Sequence, residues 1–314
     1  FDNAIAQLVA HPRVDGALLR LQGWIEPPSI VQVDRHGDAK RTPLQPAAVA
    51  NFGAMDEVRL YATGVDGVKI PVTLVYAKTT TLTGDNPTLL TAFGAYGTSI
   101  RPTFDAARLA WLERGGVLAF AHVRGGGEYG ATWHRGSARS HASQDVIAVA
   151  QFLASYGFTN PRRLVLQGTR AGALATSAAI TQRPDLFAAI VLRATDDAST
   201  MTKPVLRTRG RSASRLARDE ERADVYTFAL WQAGDRAFQP PAPPPPPTPP
   251  ATDPATPAAT STPPAPGSAV APAAPAQTPP AVIPPAAPAE APPAVIPPSN
   301  TDPRNPQPER PQSP

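Results

Sequence analysis

Leu164-Val165-Leu166-Gln167-Gly168-Thr169-Arg170-Ala171-Gly172-Ala173 passes from a short apolar run into a run of small residues, with glycines two positions before and two after Arg170. Arg163–Gln167 reads as the start of a buried strand and Ala171–Gln182 as a helix. A chain that turns from strand to helix in so few residues forces strained dihedrals on its apex, and the flanking glycines make room for that turn. The apex here is Arg170, whose guanidinium carries donors only and stays protonated at any physiological pH.

Outward from this corner the same pattern repeats. Thr88–Phe93, Gly116–Val123 and Phe187–Leu192 are continuous apolar runs, and Phe104–Arg114 and Ser143–Tyr156 read as helices between them. Strands without polar alternation, separated by helices, predict a mostly parallel sheet covered on both faces, an α/β fold. Upstream, Glu57–Thr63 and Lys69–Ala77 alternate about Gly64-Val65-Asp66-Gly67 and predict a hairpin. Further upstream, an apolar strand pattern over Trp24–Asp34 ends at the turn Arg35-His36-Gly37-Asp38. Past Thr200 a Ser/Arg-rich segment precedes Val225–Gln232, which is expected to form a last strand.

Composition sets the outer bounds. Thirty of the 41 prolines lie in residues 239–314, where Pro-Pro-Ala-Val-Ile-Pro-Pro occurs at 279–285 and again at 292–298. Such sequence builds no core and is expected to be disordered. As polyproline II, its 76 residues would reach on the order of 230 Å. The expected organisation is therefore 1–45 as a strand-rich segment and linker, 46–238 as the α/β domain, and 239–314 as the tail. P-x-x-P spacings such as Pro308–Pro311 make the tail a candidate dock for a protein partner. A second expectation is a truncated or frameshifted product, because the switch at Gln239 is abrupt. Phe1 reads as a cut edge, which leaves localisation open.

Cysteine is absent, which excludes a thiol nucleophile, thiolate metal sites and disulfides. The formal net charge is +4; four acids against two arginines give the tail −2, leaving +6 on residues 1–238. Arg207–Arg222 interleaves its arginines with Asp219, Glu220 and Glu221, predicting helical i,i+3 or i,i+4 pairing rather than a one-signed nucleic-acid patch. No apolar run approaches the length of a membrane span. Gly125, Gly127 and Gly130 match G-x-G-x-x-G, but Trp133-His134-Arg135-Gly136 is expected to interrupt the helix that a dinucleotide site needs. His122, His134 and His141 show no metal-ligand spacing. No cofactor, metal, nucleic acid or membrane is therefore expected.

Several motifs follow one another at consistent spacing. They are Gly94-Ala95-Tyr96-Gly97 with Pro102, Val123-Arg124-Gly125-Gly126-Gly127-Glu128-Tyr129-Gly130 with Trp133-His134, Tyr156-Gly157-Phe158 with Pro161, and Gln182-Arg183-Pro184-Asp185-Leu186-Phe187. With the corner at Arg170, this set resembles the prolyl oligopeptidase family of serine peptidases over residues 50 to about 197. The resemblance implies an α/β-hydrolase domain capped by a β-propeller, with 1–45 as the remnant of a last blade. It also implies cleavage of short peptides through a Ser-Asp-His triad without cofactors.

Carried onto this sequence, the resemblance places Arg170 at the nucleophile and Phe93, which lacks a hydroxyl, at the oxyanion-supporting tyrosine. The backbone N–H of Ala171 stands at the second oxyanion donor. Asp235 is the candidate acid, although Gly234–Phe238 does not match the family's acidic pair. All five histidines precede Arg170, so none stands where the family's base follows the acid. Thr169, Thr176 and Ser177 are the hydroxyls nearest the corner; Thr169 is expected to point away and the other two to pack within the helix. The expectation is a family member without the family's catalysis.

Overall fold

The computed structural model describes residues 3–45, 48, 50–135, 139–193, 201–208 and 214–239. The expectations for the Pro-rich segment fall outside these residues, apart from Gln239.

A seven-stranded sheet organises residues 55–208. It contains β5 (Met55–Thr63), β6 (Lys69–Ala77), β7 (Thr88–Ala92), β8 (Val117–Ala121), β9 (Leu164–Thr169), β10 (Ala189–Arg193) and β11 (Val205–Thr208). Their spatial order is β11-β10-β9-β7-β8-β6-β5. The pairs from β11 through β8 are parallel, whereas β6 runs antiparallel to both β8 and β5. Alternate residues feed opposite cores: Val117, Ala119 and Ala121 face one side, Leu118 and Phe120 the other. The first side is covered by α3 (Arg139–Ser155) and α4 (Gly172–Gln182), through Val146, Val149 and Ile180. The second is covered by α1 (Leu109–Leu112) and α5 (Arg215–Gln232), through Trp111, Leu112, Val225 and Leu230. Burial on both faces is why these strands lack polar alternation.

Ahead of this sheet, β1 (Asn3–His11), β2 (Val14–Gly23), β3 (Ser29–Val33) and β4 (Ala39–Arg41) form a four-stranded antiparallel sheet in chain order. It meets the larger body at Trp24, whose ring stacks on Phe120 with centroids 3.8 Å apart. Arg108 closes the junction: Nη1 donates to the Trp24 carbonyl at 3.1 Å and to the Thr103 carbonyl at 2.5 Å. Its guanidinium lies 5.0 Å from the Trp24 ring and 5.3 Å from the Phe120 ring.

A second buried arginine links three loops and helices. Arg124 donates from its backbone N–H and from Nε to Asp145 Oδ2, each at 2.9 Å, and from Nη2 to Oδ1 at 2.5 Å. Asp145 belongs to α3 and is fully buried. The other face of the guanidinium bonds Asp66 in the β5–β6 turn and holds that carboxyl below the usual carboxylate range.

Several sequence expectations are corrected. Val225–Gln232 is not a strand but the second half of α5. Ser214 caps the helix by accepting from the Ala217 N–H at 3.1 Å, and Val225, Ala229, Leu230 and Ala233 are buried at helical spacing. The β-branched and aromatic residues that suggested a strand are outweighed by that one-sided burial. The expected charge pairs appear on α5, as Arg215–Asp219 and Asp219–Arg222, while Arg222 also reaches Asp105 at 3.1 Å. Residues 205–208, inside the Ser/Arg-rich stretch, form edge strand β11. Phe104–Arg114 yields a single 3-10 turn and the four-residue α1. Trp133 and His134 do not interrupt a helix but lie in the short α2 (Ala131–Arg135).

Candidate functional site

The C-terminal ends of β7, β8 and β9 are aligned by register, Ala92 opposite both Ala121 and Gly168. In open α/β sheets this edge is where ligands and reacting groups gather. Arg170 leaves β9 there with φ +52, in the left-handed region that disfavours side chains. Its N–H donates to the Arg193 carbonyl at 2.8 Å, and its own carbonyl accepts from Ala173 N–H at 3.0 Å as α4 begins. The side chain is exposed.

Both flanking glycines are sterically required. A Cβ on Gly168 would fall 2.0 Å from Thr176 Oγ1, and one on Gly172 would fall 2.7 Å from the Cα and the carbonyl oxygen of Phe93. The corner therefore keeps a tight elbow backbone and brings Phe93 beside it. Ala171 follows as the first residue of right-handed backbone, φ −62. Of the nearby hydroxyls, Thr176 is buried and donates within α4 to Gly172 and Ala173 carbonyls, at 3.2 and 3.1 Å. Ser177 sits in the interior of α4, and Thr169 is half-buried at the end of β9.

Asp235 does not join them. It caps a 3-10 turn after α5, accepting from Ala237 N–H at 2.9 Å. The adjoining Ala233 carbonyl accepts from Arg163 Nη1 at 2.5 Å, just before β9 begins. Arg163 and Arg170 stand at opposite ends of that strand, on the order of 20 Å apart at ~3.3 Å per residue. The candidate acid is thus at the wrong edge of the sheet to act with Arg170, because α5 returns the chain to the strands' N-terminal side.

The histidines are engaged elsewhere. His11 and His36 belong to the four-stranded sheet and its turn. His134 Nδ1 lies 3.2 Å from the Gly125 carbonyl, and His141 is half-buried on α3. His122 is buried, with Nε2 2.9 Å from Thr73 Oγ1 and Nδ1 3.4 Å from Glu128 Oε1. That row of hydroxyl, imidazole and carboxylate has the order of a catalytic triad, yet Thr73 is fully buried within β6, where no carbonyl can reach its oxygen. Its members are 49 residues or fewer apart but on separate elements, and no local spacing signals them. Gly125 and Gly127 serve a chain crossing rather than a phosphate loop: the Gly97 N–H donates to the Gly125 carbonyl at 2.9 Å, and a Cβ on Gly127 would fall 2.2 Å from the Gly97 carbonyl oxygen. Among the described residues no group of three His, Asp or Glu side chains could hold a metal ion, and no helix is long and apolar enough to cross a membrane.

A mostly parallel sheet, helices on both faces and a left-handed strand-to-helix corner at the carboxyl edge define an α/β-hydrolase domain. Residues 102–207 match the model of the prolyl oligopeptidase family, and the chain belongs to that family. An uncharacterized peptidase of Rickettsia prowazekii is 36% identical over 196 residues, 60% of this chain and 27% of that protein. A prolyl endopeptidase of Elizabethkingia meningoseptica is 32% identical over 166 residues, 52% of this chain and 24% of that one. Among solved structures, a post-proline cleaving enzyme from Rickettsia typhi superposes with a TM-score of 0.55 at 32% identity, covering 60% of this chain and 28% of the other. Oligopeptidase B from Trypanosoma brucei gives 0.55 at 33% identity, covering 58% and 27%. The chain spans about a quarter of the length of the relatives it matches.

Proposed function

We propose that this chain is a prolyl oligopeptidase-like peptidase homologue whose corner at Arg170 does not carry out peptide hydrolysis. The observation that carries the reading is the corner itself: the glycines at 168 and 172 and the left-handed apex are those of an elbow shaped to project a nucleophile, and the apex is a guanidinium. A group with no lone pair to offer cannot attack a carbonyl or be activated by a base. Loss of a triad nucleophile lowers kcat by on the order of a millionfold. Phe93, beside the corner, has a ring and no hydroxyl, so one oxyanion donor is also missing; such a donor is worth about 10²–10³ in rate.

The test is reaction of the full chain with a fluorophosphonate probe, alongside a fluorogenic peptide with proline before the cleaved bond. Neither labelling nor turnover above buffer is expected. Stoichiometric labelling at Thr169 or any other residue would overturn the reading.

A further inference from the structure

A cavity of about 440 Å³ opens away from the Arg170 corner, between β1, β5 and the loops that follow β7 and β8. Its walls are apolar, with Ile5, Ile100 and Pro102, and its charged lining consists of Arg59, Arg101 and Glu128, beside His122. The sign of a suitable ligand follows from which of these charges is already committed. Glu128 Oε1 accepts from the Ile100 N–H at 3.0 Å and faces His122 Nδ1 at 3.4 Å, and a Cβ on Gly126 would fall 2.1 Å from Oε2. The carboxylate is thus packed against protein on both oxygens. Two guanidiniums then set the field of the cavity, and a guanidinium prefers a planar oxyanion that takes two parallel hydrogen bonds. The volume lies in the range of small-molecule sites, with apolar walls and few polar groups.

We propose that this cavity binds a small monocarboxylate with a bulky apolar body, the carboxylate on Arg101 and Arg59 and the body against Ile5, Ile100 and Pro102. The site is separate from the Arg170 corner, so it stands whether or not the chain hydrolyses peptides.

Calorimetric titration of the full chain with 4-phenylbutyrate tests the assignment, with 4-phenylbutanamide and 4-phenylbutylamine as neutral and cationic counterparts of the same body. The acid is expected to bind, the amide at least tenfold more weakly, and the amine without measurable heat. Arg101 is exposed, so R101A is expected to keep the parent's circular dichroism while losing at least tenfold in affinity for the acid and little for the amide. I100D, which brings a carboxylate to the wall, should abolish binding; its far-ultraviolet spectrum checks that it folds, and the ligand series on the parent chain stands without it. Absence of binding by the acid, equal binding by acid and amine, or an R101A affinity equal to the parent's would each overturn the proposal.

Discussion

Gly172, at the start of α4, lies against the backbone of Phe93 at the end of β7, so close that a methyl group there would come within 2.7 Å of two Phe93 atoms. Those atoms are main chain and cannot swing aside. Gly172→Ala should therefore separate α4 from β7 and destabilise the domain by about 1–3 kcal/mol, the range for overpacking in a tight interior. Urea unfolding of the two chains checks this, and an unchanged midpoint would count against the close approach.

Arg170 holds a left-handed conformation that costs an ordinary residue about 1–2 kcal/mol. Its side chain is exposed and its backbone bonds do not depend on residue type. Arg170→Gly should thus leave stability unchanged or raise it by up to about 1 kcal/mol, the relieved strain being partly offset by the greater freedom of glycine in the unfolded chain. Thermal melting is the measurement; a fall of several degrees would mean that the guanidinium is held in a contact.

Arg170→Ser supplies the hydroxyl but not its surroundings. Phe93 still offers no donor, and His122, which has a carboxylate behind it, is turned to Thr73 on another strand. This variant is expected to show no turnover of a proline-containing fluorogenic peptide. Measurable hydrolysis would show that a base reaches the corner.

The Arg124–Asp145 pair joins the loop after β8 to α3 with both partners buried. Removing one charge strands the other, a change that costs about 3–5 kcal/mol in comparable sites. Asp145→Leu should fall in that range by chemical denaturation. The double change Arg124→Met with Asp145→Leu should lose less than the sum of the single losses, because no uncompensated charge is left.

Tyr226, on α5, has its phenol pushed up to about 12, first by burial and then by the charge of Asp105. The unfolded chain releases this proton near pH 10. Because the folded value is the higher one, stability is intact below pH 10 and declines as pH rises from there towards 12. Tyr226→Phe should flatten this part of the stability profile, and an unaltered alkaline slope would contradict the assignment.

How far the sequence could be read depended on whether the forces were local. β7, β8, β9 and β10 announce themselves by continuous apolar runs, and the corner at Arg170 by glycines at fixed offsets, because both effects act within a few residues. α5 was legible in its charged first half and misleading in its second, where Val225, Tyr226 and Phe228 favour strands in isolation and only the packing of Val225, Ala229 and Leu230 on the sheet decides for helix. Of the four-stranded sheet, β3 stands out, whereas β1 and β2 are half-exposed and less regular, with register shifts between Ile5 and Gln7 and at His11. At the site, Arg170, Phe93 and Ala171 come together as the motifs imply. Asp235 does not, since its place depends on the direction in which α5 returns. The Thr73, His122 and Glu128 row and the cavity beside it join elements far apart in sequence and leave no local trace.

The Arg108 junction has a mechanical consequence. One guanidinium holds the Trp24 carbonyl of the small sheet and the Thr103 carbonyl of the large body, under the stacked rings of Trp24 and Phe120. Sliding the two parts by even a few ångströms would strip the cation of its acceptors while it is still shielded from water, so intermediate positions are the least favourable ones. The joint behaves as a brittle fastener rather than a hinge: under load it stays shut until it fails at once, and the two sheets bear force as a single piece.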